Sequence, residues 1–304
     1  MTKKIIVFGS RGQVGQKLLS FGSTHNLSII GFSHGDIDIT KERDVIAAIQ
    51  DYDCDLVINA AAYTNVDGAE GEKEKAFSIN FDGPAILAQA CCDADIPLIH
   101  ISTDYVFDGM KECGFIEDDP MLPLGVYGKS KLAGERAVRE LLKKHIILRT
   151  SWVYSSSGNN FVKTMLNLSQ EREELKIIND QIGCPTAAFD IAKTILELGN
   201  KIFLQRPKVK WGTFHYCGDT KLSWYEFACE IFRLAEDPLG VKTPKLYPVS
   251  TDEYPTIATR PSYSVLDCSR IGRVFGIYPA PFLNSLSHVI GELKTLDNIE
   301  IQKS

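Results

Sequence analysis

Tyr127 and Lys131 stand four residues apart, a spacing that places a phenol and an ammonium on one face of an α-helix. About one helical turn of 5.4 Å separates them. A cation at that distance favours the phenolate, so we expect Lys131 to lower the pKa of Tyr127 from about 10. Such a tyrosine donates a proton to a carbonyl oxygen while a hydride reaches the carbon. The pair therefore predicts reduction of a ketone or oxidation of an alcohol.

A hydroxyl and a carboxylate, those of Thr103 and Asp104, follow the apolar run Leu98–Ser102, which is typical of a buried strand. Open α/β sheets bind their ligands at the carboxyl ends of such strands. We expect the Thr103 hydroxyl to hydrogen-bond the substrate oxygen as negative charge develops there. The alternative at Thr103 is a cap on a turn.

Three glycines, Gly9, Gly12 and Gly15, come directly after the first apolar run, Ile5–Phe8, and open a helical pattern. Their spacing permits a tight turn and lets a pyrophosphate approach backbone N–H groups at a helix N-terminus. The loop predicts a dinucleotide site, with a purely structural turn as the alternative. The alanines before Tyr63 and Thr64 leave room for a flat cofactor, or fill the core.

The end of the second predicted strand bears on which nicotinamide cofactor binds. NAD-selective sites usually place an acid there, yet Phe32–Gly35 has none before Asp36 and Asp38. Arg11, inside the glycine loop, suits a 2′-phosphate. We therefore favour NADPH over NADH, although Arg11 as a solvated loop charge is the alternative.

Short unalternating apolar runs separated by helical patterns predict the fold. The class is α/β, a Rossmann-type doubly wound parallel sheet with a smaller C-terminal α+β substrate domain. We expect the NAD(P)-binding domain to span residues 1–151, with about 187–217 returning to the sheet, and the substrate domain to span about 152–186 and 218–304. Ser223 and Glu226 predict a capping box. Five prolines predict that the stretch Asp237–Pro261 is rich in loops, and we expect fraying at Asp297–Ser304.

Composition excludes several classes of protein. A net charge of −6 argues against nucleic-acid binding. Neither a signal peptide nor an apolar stretch of membrane-spanning length is found. The eight cysteines lack zinc spacing and favour a reduced, cytoplasmic chain with buried thiols. No acidic spacing predicts a metal site, so an Mg²⁺ requirement stays open.

Longer strings resemble the dTDP-4-dehydrorhamnose reductases, a family of extended short-chain dehydrogenase/reductases. The order Gly-x-x-Gly-x-x-Gly, Ser-Thr-Asp, Tyr-x-x-x-Lys belongs to the superfamily, whereas several of the strings are specific to this family. The resemblance covers nearly the whole chain, up to about Asp267. The strings are Asn59–Asp67, Ser102–Asp108, Val126–Glu135, Arg149–Tyr154, Gly158–Leu166, Asn179–Thr186 and Arg260 with Pro261.

The resemblance implies NAD(P)H-dependent reduction of a dTDP-linked 4-keto deoxysugar, a small-molecule substrate, and a possible homodimer. It implies Tyr127 as proton donor, Lys131 as the group that holds the nicotinamide ribose, and Thr103 as the group that polarises the C4 carbonyl. The other implied cofactor contacts are Gly12, Gln13 and Val14 at the pyrophosphate, Asp38 and Ile39 at the adenosine, and Ala62, Tyr63 and Thr64 at a strand end. The implied substrate contacts are Thr103, Asp104, Tyr105, Trp152, which could instead be core, and Arg260, at the diphosphate.

One position departs from relatives that dehydrate nucleotide sugars. They carry an acid after the Asp of Ser-Thr-Asp, whereas this chain has Tyr105. Dehydration would lack half of its acid–base pair, while reduction needs only Tyr127 and a hydride donor. An epimerase, a reductase of another 4-keto deoxysugar, and a catalytically silent cofactor-binding regulatory subunit remain the alternatives.

Overall fold

The computed structural model describes residues 2–22, 27–205 and 208–301, with side chains described through Thr295. The strands are β1 (Lys3–Phe8), β2 (Leu27–Phe32), β3 (Leu56–Asn59), β4 (Leu98–Thr103), β5 (His145–Thr150), β6 (Val153–Tyr154), β7 (Glu174–Ile178), β8 (Ile182–Gly183), β9 (Thr186–Ala187), β10 (Gly212–His215), β11 (Leu222–Ser223) and β12 (Lys245–Val249). The α-helices are α1 (Gln13–Gly22), α2 (Glu42–Tyr52), α3 (Val66–Gly71), α4 (Lys73–Phe77), α5 (Gly83–Asp93), α6 (Val126–Leu141), α7 (Phe161–Glu171), α8 (Ala188–Gln205), α9 (Trp224–Leu239), α10 (Ser269–Phe275) and α11 (Phe282–Ile301). A π-helical turn spans Ser78–Asp82, and 3₁₀ turns span Asp104–Val106 and Thr251–Glu253.

Six parallel strands form the central sheet in the order β10-β5-β4-β3-β1-β2. Residues of α1 and α8, such as Leu18 and Ile195, cover one face of this sheet. Residues of α2, α5 and α6, such as Val45, Leu87 and Val138, cover the other. Burial on both faces explains the unalternating apolar runs. The predicted doubly wound parallel sheet is confirmed.

The remaining elements build a second core from α7, α9 and α11, with Phe227, Ile231 and Leu286 fully buried. Small two-stranded sheets, β12-β7, β11-β8 and β6-β9, border this core. The Ser223 capping box at the start of α9 is confirmed. The division of the chain at the predicted domain boundaries remains a prediction.

Two expectations concern the C-terminal part. Most of the stretch 237–261 is irregular, as expected of a loop-rich region, although α9 continues past Pro238 to a left-handed cap at Gly240 and β12 pairs in parallel with β7. Pairing with a neighbouring strand outweighs the local effect of proline on an edge. Helix α11 continues through Asp297 to Ile301, and residues 302–304 lie outside the described residues. Fraying of Asp297–Ser304 stays a prediction.

Among the residues described, none of the helices combines the length and the hydropathy needed to cross a bilayer. The same part of the chain contains no group of three or more His, Cys, Asp or Glu side chains arranged to hold a metal ion.

Candidate active site

The carboxyl ends of the parallel strands gather the predicted site residues along one edge of the sheet. Gly9 follows the last residue of β1, Thr103 is the last residue of β4, and Trp152 lies two residues beyond β5. Because all six strands run in the same direction, these ends share one edge. Helix α6 places Tyr127 and Lys131 beside β4.

The glycine turn requires glycine at its first and last positions. Gly9 has a φ of +84°, and a Cβ there would lie 2.5 Å from the backbone nitrogen of Ala61. A Cβ on Gly15 would lie 2.2 Å from the Gly9 carbonyl oxygen. Gly12 donates its N–H to that carbonyl at 3.0 Å, and α1 begins at the next residue, Gln13. The turn thus brings bare backbone to a helix N-terminus, an arrangement that suits a pyrophosphate.

The residues expected on the adenosine side differ in their accessibility. The Ser33 hydroxyl and N–H donate to the Asp36 carboxylate and lower its pKa, and the exposed Arg11 adds a smaller lowering. Asp38 accepts from the N–H and hydroxyl of Thr40 at 3.0 and 2.8 Å.

The Ile39 side chain is only 5 % exposed, in the core between the sheet and the helices. Its expected cofactor contact is therefore restricted to the backbone, because the side chain packs inward.

The end of β3 places its residues in different surroundings. Ala62 is half-buried and Thr64 is exposed. The Tyr63 hydroxyl donates to Glu72 at 2.6 Å, which occupies the polar end of this buried ring. A cofactor contact at Tyr63 would thus involve its backbone or ring face.

Asn80, a residue that the sequence analysis missed, ties this strand end to the catalytic helix. Its side chain accepts from the Tyr63 N–H at 2.9 Å and donates to the Tyr63 carbonyl at 3.0 Å. It also donates to the Ser130 hydroxyl, which donates to the Tyr127 carbonyl at 2.8 Å. Asn80 lies in the π-helical turn, and such turns often occur at functional sites. The burial of Asn80 is evident only in the folded chain, so the sequence offered no signal for its role.

Tyr127 lies in the first turn of α6, against the residues at the end of β4. Its ring meets the Tyr105 ring edge-on at 5.5 Å. The buried Thr103 hydroxyl interacts with the Tyr127 hydroxyl, donates to Asp104 at 3.0 Å and accepts from the Tyr105 N–H at 3.2 Å. Thr103 thus caps the 3₁₀ turn, which was the alternative role considered for it in the sequence analysis. It also lies next to the Tyr127 phenol.

The protonation expected for Tyr127 is wrong in its direction. Burial raises the pKa of Tyr127 to about 12, against a smaller lowering by the Thr103 hydrogen bond. The Lys131 ammonium donates to the Ile101 carbonyl at 2.7 Å, and burial lowers the pKa of Lys131 to about 8. Desolvation disfavours the charged form of each group, and Lys131 is not among the groups that shift the pKa of Tyr127, so the phenol is protonated at neutral pH. Burial also raises the pKa of Asp104 to about 6.

A buried ion pair lies one helical turn beyond Lys131, and the sequence analysis missed it too. Glu135 and Arg149 are both fully buried and make two hydrogen bonds, at 2.8 and 2.7 Å. Arg139 also pairs with Glu135. These cations lower the pKa of Glu135 to about 2 despite its burial. The sequence signals were Glu135, which follows Lys131 at the same four-residue spacing, and the charged Arg149 in an otherwise apolar strand.

Two predicted substrate residues are already engaged with protein neighbours. Trp152, at a φ of +47°, stacks on Trp224 with ring centroids 3.5 Å apart and planes 2° apart. A Cβ on Gly183 would lie 2.3 Å from the Trp152 indole, so that glycine is needed there. These contacts cover part of the ring, and Trp152 is half-buried.

Arg260 pairs with Asp67 at 2.6 Å and interacts with the Tyr105 hydroxyl. A diphosphate contact by Arg260 would therefore share the guanidinium with Asp67.

Comparison with known proteins decides the family. The model of the family described as RmlD substrate binding domain matches residues 3–295. The dTDP-4-dehydrorhamnose reductase of Aggregatibacter actinomycetemcomitans is 41% identical over 291 residues, covering 94% of this chain and 98% of the relative. The enzyme of the same name from Escherichia coli K12 is 38% identical, covering 96% and 98%. The chain belongs to the dTDP-4-dehydrorhamnose reductase family.

Solved structures of the reductase family agree with this fold. The dTDP-4-dehydrorhamnose reductase of Clostridium acetobutylicum is 38% identical with a TM-score of 0.89, over 96% of this chain and 99% of that one. The Bacillus anthracis reductase, solved in complex with NADP, is 37% identical with a TM-score of 0.88, over 96% and 100%. The UDP-glucose 4-epimerase of Brucella ovis, at 14% identity and a TM-score of 0.81, shares the fold alone, over 96% and 98%.

Proposed function

We propose that this chain uses NADPH to reduce the C4 ketone of dTDP-4-dehydro-β-L-rhamnose to dTDP-L-rhamnose. The observation that carries the proposal is the meeting of Tyr127, Thr103 and Lys131 at the sheet edge that also bears the glycine turn. The names of the relatives support the substrate, and the NADP complex of the Bacillus anthracis reductase supports the cofactor.

The residues along this edge fit a dinucleotide. The backbone cradle at Gly9 and Gly15 leaves no room for a side chain, and the N-terminal N–H groups of α1 suit the pyrophosphate. When bound, the cofactor supplies a hydride. We assign the Lys131 ammonium to the nicotinamide ribose, and the exposed Arg11 to a 2′-phosphate.

Tyr127 supplies the proton that the C4 oxygen needs. A phenol whose pKa is about 12 is fully protonated at neutral pH, the state that a proton donor requires. The Thr103 hydroxyl, next to the phenol, hydrogen-bonds the same oxygen as its negative charge grows. Tyr105, in place of an acid, leaves no second acid–base group for dehydration at that position.

The remaining assignments belong to the same proposal. Trp152 offers its uncovered surface to the deoxysugar, Asp104 and Tyr105 contact it, and Arg260 contacts the diphosphate. The cofactor domain comprises residues 1–151 with about 187–217, and the substrate domain about 152–186 with 218–304. We also infer a cytoplasmic location and a possible homodimer, while an Mg²⁺ requirement stays open.

The test is incubation of the purified chain with dTDP-4-dehydrorhamnose and with other dTDP-4-keto sugars, each with NADPH and with NADH. We expect oxidation of NADPH with dTDP-4-dehydrorhamnose, and a product whose NMR spectrum matches dTDP-L-rhamnose. Preferential turnover of another keto sugar would identify a different reductase. Turnover without oxidation of the nicotinamide would identify an epimerase, and no turnover would favour the regulatory subunit.

A further inference from the structure

Three of the eight cysteines lie around one cavity on the side of β10. Cys184, Cys217 and Cys268 line this cavity of about 190 Å³, together with Lys221 and Leu266. The Cys217 and Cys268 sulfurs are 3.6 Å apart, and the Cys184 thiol lies within hydrogen-bonding reach of Cys217. No proposed catalytic or binding role uses these thiols.

The three thiols differ in exposure. Cys184 and Cys217 are only 3 % and 2 % exposed, whereas Cys268 is half-buried. Hydrogen bonds with the Cys184 and Cys268 thiols, together with burial, raise the pKa of Cys217 well above its usual value. A small oxidant entering the cavity therefore meets Cys268 first. Among the described residues no cluster suits a metal ion, so the arrangement favours thiol oxidation over metal binding.

We propose that Cys217 and Cys268 form an oxidation site that closes into a reversible disulfide under hydrogen peroxide. The Cys268 thiol reacts with peroxide to give a sulfenic acid and one water. The Cys217 sulfur then attacks the sulfenic sulfur, forms the S–S bond and releases a second water, so two thiols are oxidised while one peroxide is reduced. The sulfurs must approach from 3.6 Å to about 2.05 Å.

The bond would join two segments of the chain that meet at this cavity. Cys217 follows β10 in the central sheet, and Cys268 immediately precedes α10. The third thiol belongs to the segment that supports Trp152, because the Cys184 carbonyl accepts from the Ser151 hydroxyl at 2.8 Å and Gly183 packs on the indole. Cys184 remains reduced in this scheme.

The experiment uses the full chain in a background in which the two exposed cysteines, Cys92 and Cys113, are replaced by serine. After hydrogen peroxide, we expect two of the remaining six thiols to disappear, a peptide map to link Cys217 to Cys268, and dithiothreitol to restore both thiols. Cys229→Ser, which removes a half-buried cysteine of α9, serves as the matched control and should leave this link intact.

Cys268→Ser and Cys217→Ser should each abolish the link, while Cys184→Ser should preserve it. Retention of all six thiols, or a link from Cys217 to Cys184 instead, would overturn the proposal. Mapping the background protein needs no substitution at the site, so it decides the question even if the cavity variants fail to fold.

Discussion

At the scale of single residues, burial sets the chemistry of the candidate site. Tyr127 and Lys131 have the spacing that predicts a coupled pair, yet desolvation disfavours the charged form of each. The pKa of the phenol rises and that of the ammonium falls, so the two move towards each other from opposite sides. The result suits proton donation by Tyr127 in the direction of ketone reduction.

The titration of Lys131 predicts a pH dependence of reduction. Its pKa of about 8 is depressed from 10.5, so its charge is present below about pH 8 and is lost as the pH rises through that value. We expect kcat/KM for the keto sugar to fall above about pH 8, because Lys131, which we propose binds the nicotinamide ribose, loses its charge. Initial rates between pH 6 and 10, roughly spanning this pKa, measure it.

Lys131→Arg provides the control, because a guanidinium stays charged throughout this range. Its activity should be lower, with no fall centred near pH 8. An unchanged alkaline limb in that variant would assign the titration to another group.

At the scale of elements, α6 holds the site residues in place because several of its residues contact β5 and the π-helical turn. Tyr127, Lys131 and Glu135 follow one another at four-residue spacing, and Glu135 anchors the helix to Arg149 of β5. Gly134 allows close contact with the π-helical turn that carries Asn80. The position of the phenol therefore depends on packing on two sides of the helix.

Removing the buried anion should destabilise this arrangement strongly. Glu135→Gln leaves Arg149 buried without its counter-charge, and we expect the free energy of unfolding to fall by about 3–5 kcal/mol. The exposed neighbour Glu140→Gln should change it by less than about 0.5 kcal/mol. Urea titrations at pH 7 measure both.

The pH dependence supplies a second readout for Glu135. Its folded pKa of about 2 lies below the 4.5 of an unperturbed glutamate, so its contribution is fully present above about pH 4.5 and is lost as the pH falls through about 2. Glu135→Gln should lack this acid-dependent part. Equal stability of the Glu135 and Glu140 variants would contradict the structural role of the ion pair.

The contact of α6 with the π-helical turn gives another test. Gly134→Ala would place a Cβ 2.1 Å from the Asn80 carbonyl oxygen, which forces the helix away from the turn. We expect lower stability, by about 1–3 kcal/mol, and a reduced kcat, because Tyr127 moves with its helix. Gly71→Ala in α3, where no atom lies within 4 Å of the added Cβ, is the matched control.

Thermal unfolding and initial rates of both glycine variants measure these effects. Wild-type values for Gly134→Ala would contradict the tight contact.

The strands of the sheet could be predicted from apolar runs, because burial on both faces produces a simple pattern. The strand-end residues Gly9 and Thr103 could be predicted for the same reason, since parallel strands deliver their carboxyl ends to one edge. The residues that contact α6 could not be predicted, because Asn80 and Arg149 come from distant parts of the chain. The pKa of Tyr127 depends on that burial, which local spacing does not reveal.

At the scale of the whole molecule, ion pairs and hydrogen bonds join the sheet edge that bears the glycine turn to residues from the C-terminal part. Lys17 of α1 pairs with Glu292 of α11 at 2.6 Å. The Asn160 side chain, which caps α7, donates to Gln13 of the glycine loop at 3.1 Å. Asp67, which follows β3, pairs with Arg260. These contacts between residues far apart in sequence carry no local signal, so sequence patterns could not predict them.

The Asp67 pair should matter for stability and for the sugar substrate. Asp67→Asn leaves the half-buried Arg260 without its counter-charge, and we expect a loss of about 1.5–3 kcal/mol in unfolding free energy. The KM for the keto sugar should rise, because Arg260 also contacts Tyr105 beside Tyr127. Steady-state kinetics and urea titration measure this, with the exposed Asp51→Asn as control. An unchanged KM would separate Arg260 from substrate binding.

The central claim is that the Tyr127 hydroxyl protonates the ketone, and one pair of variants tests it most directly. Single-turnover reduction of dTDP-4-dehydrorhamnose by bound NADPH should slow by about 10²–10⁴-fold in Tyr127→Phe, with NADPH binding retained. Tyr63→Phe removes a hydroxyl that bonds Glu72 instead and should keep the wild-type rate. A wild-type rate in Tyr127→Phe would contradict the account.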